Sequence, residues 1–147
     1  MIKIRTAISS PWVAYHEAGH AVAFIRQGYR GVEIGYDKRC KAFYTSAVIP
    51  SPPGPEEDAL IYLAGPIAEA VSQDADPREY VRAIIDEYTL ATRIDDLVQA
   101  MRLLNTDVDG LTTNDVFMRA CVFVYDYWRA IETVARRLQR KGKRGIK

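Results

Sequence analysis

The sequence predicts a mostly helical α+β fold: an N-terminal helix, a small antiparallel β-hairpin or sheet, and a bundle of helices towards the C-terminus. Three observations lead there. Apolar residues recur at helical spacing through Val13, Val22 and Ile25, through Leu60, Ile61, Leu63 and Ala64, and through Ile94, Leu97, Val98 and Met101. β-Branched and aromatic residues gather instead in residues 32–36 and 42–49, which reads as paired strands. An apolar share of 48% in 147 residues, with mixed charge, suits one domain spanning residues 1–147 with a core of its own.

After a short leading segment, Ser10-Pro11 supplies a capping hydroxyl and a proline at the first helical position. Gly28 closes the periodic run, so the first helix has about four to five turns. Ala14, Ala18, Gly19, Ala21 and Ala23 make it slim, which lets other elements approach closely. The stretch Asp37-Lys38-Arg39 is the turn of the hairpin. Ser51-Pro52-Pro53-Gly54-Pro55 is a rigid loop that opens a second helix, whose first turn carries Glu56, Glu57 and Asp58 against the positive end of the helix dipole. Pro66 cannot donate to the carbonyl of Tyr62, so a kink is expected there. Asp76-Pro77 starts a third helical region through Val81, Ile84 and Ile85, whose period continues to Leu104, and a final helix is expected from about 114 to 140.

Several function classes fall away on composition. No run approaches the length needed to span a bilayer, and the N-terminus lacks a signal-peptide layout, so a cytoplasmic protein without membrane partners is expected. Cys40 and Cys121 are too few for a disulfide framework. Asn105-Thr106-Asp107-Val108-Asp109-Gly110 has the look of half a calcium loop, but Val116 stands at the twelfth position, so the segment reads as an interhelical turn. The basic residues in 136–147 read as a solvated, partly frayed helix end, and with a net charge of +1 no nucleic-acid partner is expected. Phe123, Tyr127 and Ile131 form a stripe at helical spacing that reads as core or as a contact between copies of the chain.

The chemistry sits in His16-Glu17-Ala18-Gly19-His20, which contains both histidines of the chain. Four residues apart on a helix, two imidazoles share one face and can bind one tetrahedral Zn²⁺, while Glu17 reaches a water held there. Such a site needs a third protein ligand, and only carboxylates remain: Glu69, Asp86, Glu87, Asp95 and Asp96. Periodicity does not choose among them, because Asp95 and Asp96 flank the apolar stripe on opposite sides. Tyr15 faces elsewhere on the helix and reads as core.

Residues 13–22, Val-Ala-Tyr-His-Glu-Ala-Gly-His-Ala-Val, resemble the metal helix of the peptidase domain of FtsH-type ATP-dependent zinc proteases, whose pattern is AYHEAGHA. Leu63-Ala64-Gly65-Pro66-Ile67-Ala68-Glu69 resembles that family's GGRAAE-type helix, with Pro66 where arginine is usual, and Asp95-Asp96-Leu97-Val98-Gln99-Ala100 resembles its NDLxxA segment. The resemblance implies Asp96 as the third zinc ligand and Glu17 as the base of a zinc metallopeptidase acting on peptides or unfolded protein. It further implies self-association and a separate ATPase or adaptor partner, since this chain carries no GxxxxGK[ST] loop of its own. A zinc-containing binding or regulatory module with an idle or occluded site is the alternative. For an extended substrate, residues 43–49 are expected to be the exposed edge strand, with Phe43, Thr45, Ala47 and Ile49 facing it.

Overall fold

The fold is assembled around α1 (Val13–Arg26). The computed structural model describes residues 2–7, 12–37, 42–48, 54–87 and 91–145. The helix begins two residues beyond the expected proline, with Trp12 in the cap position, and the Ser10-Pro11 signal lies outside the described residues. It stops where glycine permits: Gly28 adopts φ +85°, a left-handed conformation that other residues enter only at a cost. The backbone N–H of Tyr29 then closes on the carbonyl of Phe24 at 3.0 Å.

The sheet has three strands, one more than the hairpin expected. β1 (Ile2–Ala7), β2 (Arg30–Asp37) and β3 (Ala42–Val48) are antiparallel in the order β1-β3-β2. Residues 42–48 are therefore the central strand and not an edge: Thr45 lies opposite Ile4 on one side and Ile34 on the other. The expected peptide-binding edge at Phe43, Thr45 and Ala47 is overturned, because both sets of main-chain hydrogen-bonding groups are taken up by neighbouring strands. Thr45 and Ala47 are buried, and Ile49 lies outside the described residues. The edges are β1 and β2.

Seven helices are described. α2 (Pro55–Ser72) starts at the expected proline and runs on through Pro66 as one helix. α3 (Pro77–Glu87) and α4 (Ala91–Leu104) divide the third helical region; of the half calcium loop, residues 105–107 form the turn after α4 and residues 108–110 open α5 (Val108–Thr113). The Asp107 side chain caps α5 by accepting from the Gly110 N–H at 2.8 Å. The expected final helix is two, α6 (Asp115–Asp126) and α7 (Trp128–Gly145), with the break at Tyr127. Asn114 caps α6 through the Val116 N–H at 2.8 Å. Helical backbone continues to Gly145 through most of the basic end.

One side of α1 lies on the sheet; α2 and α7 pack against it elsewhere, and α2 in turn meets α4 and α6. Phe24, Ile61, Leu63, Ile67, Leu97, Leu111, Phe117 and Ile131 are fully buried and join these elements in one core. Removing each such side chain from water contributes about 1.5–3 kcal/mol. The small residues of α1 act as expected. A Cβ at Gly19 would lie 2.4 Å from the Ala64 carbonyl oxygen, so α1 and α2 approach backbone to backbone. Tyr15 stacks on Trp128 of α7 with ring centroids 5.6 Å apart, and Ile131 is core. No helix among the described residues is long and apolar enough to cross a membrane.

Candidate metal centre

His16 and His20 lie one turn apart on α1, their rings edge to face with centroids 4.8 Å apart. Both are fully buried, a costly position for imidazoles unless every ring nitrogen finds a partner. The partners come from three other places. His16 Nδ1 lies 3.1 Å from Glu69 Oε1 of α2, and His20 Nδ1 lies 2.8 Å from the main-chain carbonyl of Ile61 in the same helix. A carbonyl only accepts, so His20 donates from Nδ1 and its Nε2 is left as a lone-pair donor for a metal.

Both Nε2 atoms converge on one carboxylate oxygen. Asp96 Oδ2 of α4 is 2.7 Å from His16 Nε2 and 3.1 Å from His20 Nε2. His16, His20 and Asp96 therefore form a buried group that could hold a metal ion, their ligand atoms all within 4.8 Å of one another. The donor set fits one: two imidazole nitrogens and a carboxylate oxygen face inward, and both outer ring nitrogens are tied back, as metal-ligating histidines require.

Without a metal, the electrostatics are those of an ion pair. Burial alone would lower the pKa of His16, but Asp96 and Glu69 outweigh it and push it up to about 10. Burial likewise opposes ionisation of Asp96, yet the two imidazoles hold its carboxyl below the usual range. A metal entering this site takes the place of the His16 proton.

The backbone makes room for this cluster at Gly65. A Cβ there would stand 2.3 Å from His20 Nε2 and 2.9 Å from His16 Cδ2, so α2 can cross the imidazoles only where a side chain is missing. Glu17 is also fully buried and points to the sheet, where the Thr45 hydroxyl donates to its Oε2. Tyr62 sits half-buried beside the centre; burial raises its pKa, and so do the charges of Asp96 and Asp58.

Of the carboxylates open on sequence grounds, Asp96 joins the histidines, Glu69 braces His16 from outside, and Asp86 and Asp95 are exposed; the side chain of Glu87 lies outside the described ones. Sequence reasoning missed two contributors: Thr45, expected to face substrate, holds Glu17, and Tyr80, which donates to Glu69, gave no signal. Cys121 is partly buried, which pushes its thiol up to about 11, and it lies apart from the site; Cys40 is outside the described residues.

No protein-family model matches this chain, and no curated protein matches it significantly. His16 and His20 of α1, Glu69 of α2 and Asp96 of α4, far apart in sequence, meet in one place in the fold.

Proposed function

We propose that this protein is a zinc-dependent metallopeptidase that hydrolyses peptide bonds in peptides or unfolded protein. One observation carries the reading: Asp96, eighty residues from His16 in sequence, places a single oxygen against both Nε2 atoms of a helix that also carries Glu17. A structural core histidine pair also needs a partner for each ring nitrogen, but it does not need one carboxylate oxygen shared by both Nε2 atoms or a second carboxylate buried on the same turn of helix.

His16, His20 and Asp96 would hold the ion, and a bound Zn²⁺ supplies Lewis acidity that brings the pKa of a coordinated water towards about 7. The chain's own residues do the remainder. Glu17, set against Thr45, accepts the proton of the attacking water at its carboxylate and returns it to the departing amine. The C–N bond breaks as the new C–O bond is completed, and no further histidine is needed. An extended substrate would pair with an edge strand, and β1 is an edge that packs against α4, the helix carrying Asp96.

Burial supports a second reading. Glu17, His16 and His20 have no exposed surface and Asp96 has 2%, as in a binding or regulatory module whose site is occluded. Turnover separates the two. Zinc-loaded protein is incubated with an unfolded protein and a mixed peptide library beside a Glu17→Gln variant carrying equal zinc. Cleavage by the first alone establishes the peptidase, with an expected loss of about 100-fold or more in the variant. No cleavage by either, with one zinc in each, establishes the occluded module and sends the search to an adaptor or ATPase partner.

A further inference from the structure

Glu69 on α2 and Tyr80 on α3 extend the metal centre outward through consecutive hydrogen bonds. Glu69 is 1% exposed; its Oε1 meets His16 Nδ1, and its Oε2 accepts from the Tyr80 hydroxyl. Gln73 Nε2 donates to the same phenol oxygen at 2.9 Å and also to the main-chain carbonyl of Glu69 at 3.3 Å. The path runs from half-buried Tyr80 to the imidazole whose other nitrogen faces Asp96. Residues 77–87 lie between the blocks that resemble the peptidase family, so α3 brings this brace from outside those motifs.

We propose that Tyr80 is a positioning residue of the metal centre, which by holding Glu69 fixes the orientation and donor strength of His16 and so sets the affinity for the metal. An imidazole that gives its outer N–H to a carboxylate is a stronger ligand and cannot swivel, provided the carboxylate itself is held. Here one oxygen of Glu69 is held by the phenol, and the phenol by Gln73, which leaves the other oxygen aimed at His16. This role concerns metal binding and does not depend on peptide hydrolysis.

Zinc affinity is measured on the full chain at one pH by competition with a chromophoric chelator. Tyr80→Phe removes the hydroxyl and keeps the ring, and is expected to weaken binding about 10-fold; Glu69→Gln costs up to about 100-fold. In the Glu69→Gln background, adding Tyr80→Phe is expected to change affinity less than about twofold, because the path is already cut. Glu69→Asp serves as the second background if the amide variant does not fold. Wild-type affinity in Tyr80→Phe overturns the proposal. So does an equal loss in both backgrounds, which would place the effect in the packing of α3.

Discussion

His16 is the residue on which the protonation of the whole site turns. Because Asp96 and Glu69 raise its pKa from 6.5 to about 10, the metal-free folded protein carries an imidazolium at neutral pH. Below about pH 6.5 the folded and unfolded chains both hold this proton, and the ion pair contributes its full stability. As pH rises towards 10 the unfolded chain releases the proton first, so the contribution fades and is gone above the folded pKa. Chelator-treated protein is therefore expected to melt at a lower temperature at pH 9 than at pH 6, and a His16→Gln variant should lose most of that slope in a calorimetric pH series. Asp96 acts in the opposite sense: its depressed pKa contributes stability above about 3.8 that disappears under stronger acid. Gly65 supplies a second prediction at this scale. Gly65→Ala places a methyl group 2.3 Å from His20 Nε2, so the imidazole must turn away from Asp96 or α2 must move. Zinc affinity should fall by at least about 100-fold, while the metal-free helix, relieved of a glycine worth about 1 kcal/mol in helix propensity, keeps its far-UV circular dichroism.

At the scale of elements, α1 and α2 are set together by close approach, and α7 is fastened to α1 where Tyr15 stacks on Trp128. Ile131 of α7 is fully buried in the core. Ile131→Ala is expected to destabilise the fold by about 2–5 kcal/mol in urea titration, whereas Val122→Ala, on the exposed side of α6, should stay within about 0.5 kcal/mol. Most helices were legible because their caps and stops are local chemistry: Pro55 opens α2, Asn114 caps α6, and Gly28 ends α1. What escaped was decided by distance. Residues 42–48 have the composition of any half-buried strand, and whether they lie at an edge depends on Ile2–Ala7 arriving from the other end of the chain. The break at Tyr127 was hidden because the apolar period runs through it: Phe123, Tyr127 and Ile131 keep helical spacing across the turn, with the rings of Phe123 and Tyr127 4.8 Å apart. Of the site, the helix motif could be read directly, since i and i+4 fix the histidines on one face. Asp96 was favoured over Asp95 only by resemblance, and the packing of α4, with Leu97 and Ala100 inward, is what turns it to the histidines. Tyr80 had no signal, because its role exists only once α3 lies on α2.

For the molecule as a whole, the centre ties the N-terminal half to the C-terminal half, since His16 and Asp96 are separated by 80 positions. In metal-free protein that tie is an ion pair between buried groups, whose Coulomb gain is largely offset by the loss of hydration. A metal ion held there would replace it with coordinate bonds that the unfolded chain cannot reproduce, so its binding energy would add to folding. At free zinc 100-fold above Kd the stabilisation is about 2.7 kcal/mol. For a chain of this size that corresponds to a rise in Tm of roughly 5–10 °C. The increment should also grow with pH. Zinc bound as proposed would have to displace the proton of His16, so its apparent affinity should rise as pH climbs from 6.5 towards 10, in the window where the metal-free protein weakens. Scanning calorimetry of chelated and zinc-loaded protein at pH 6.5 and pH 8.5 tests both parts. The gap in Tm should be wider at pH 8.5, and Asp96→Asn should abolish most of it at either pH by removing the charge that both imidazoles face. An equal gap in Asp96→Asn would mean that zinc binds elsewhere on the surface, and the two halves of the chain would then be joined by packing alone.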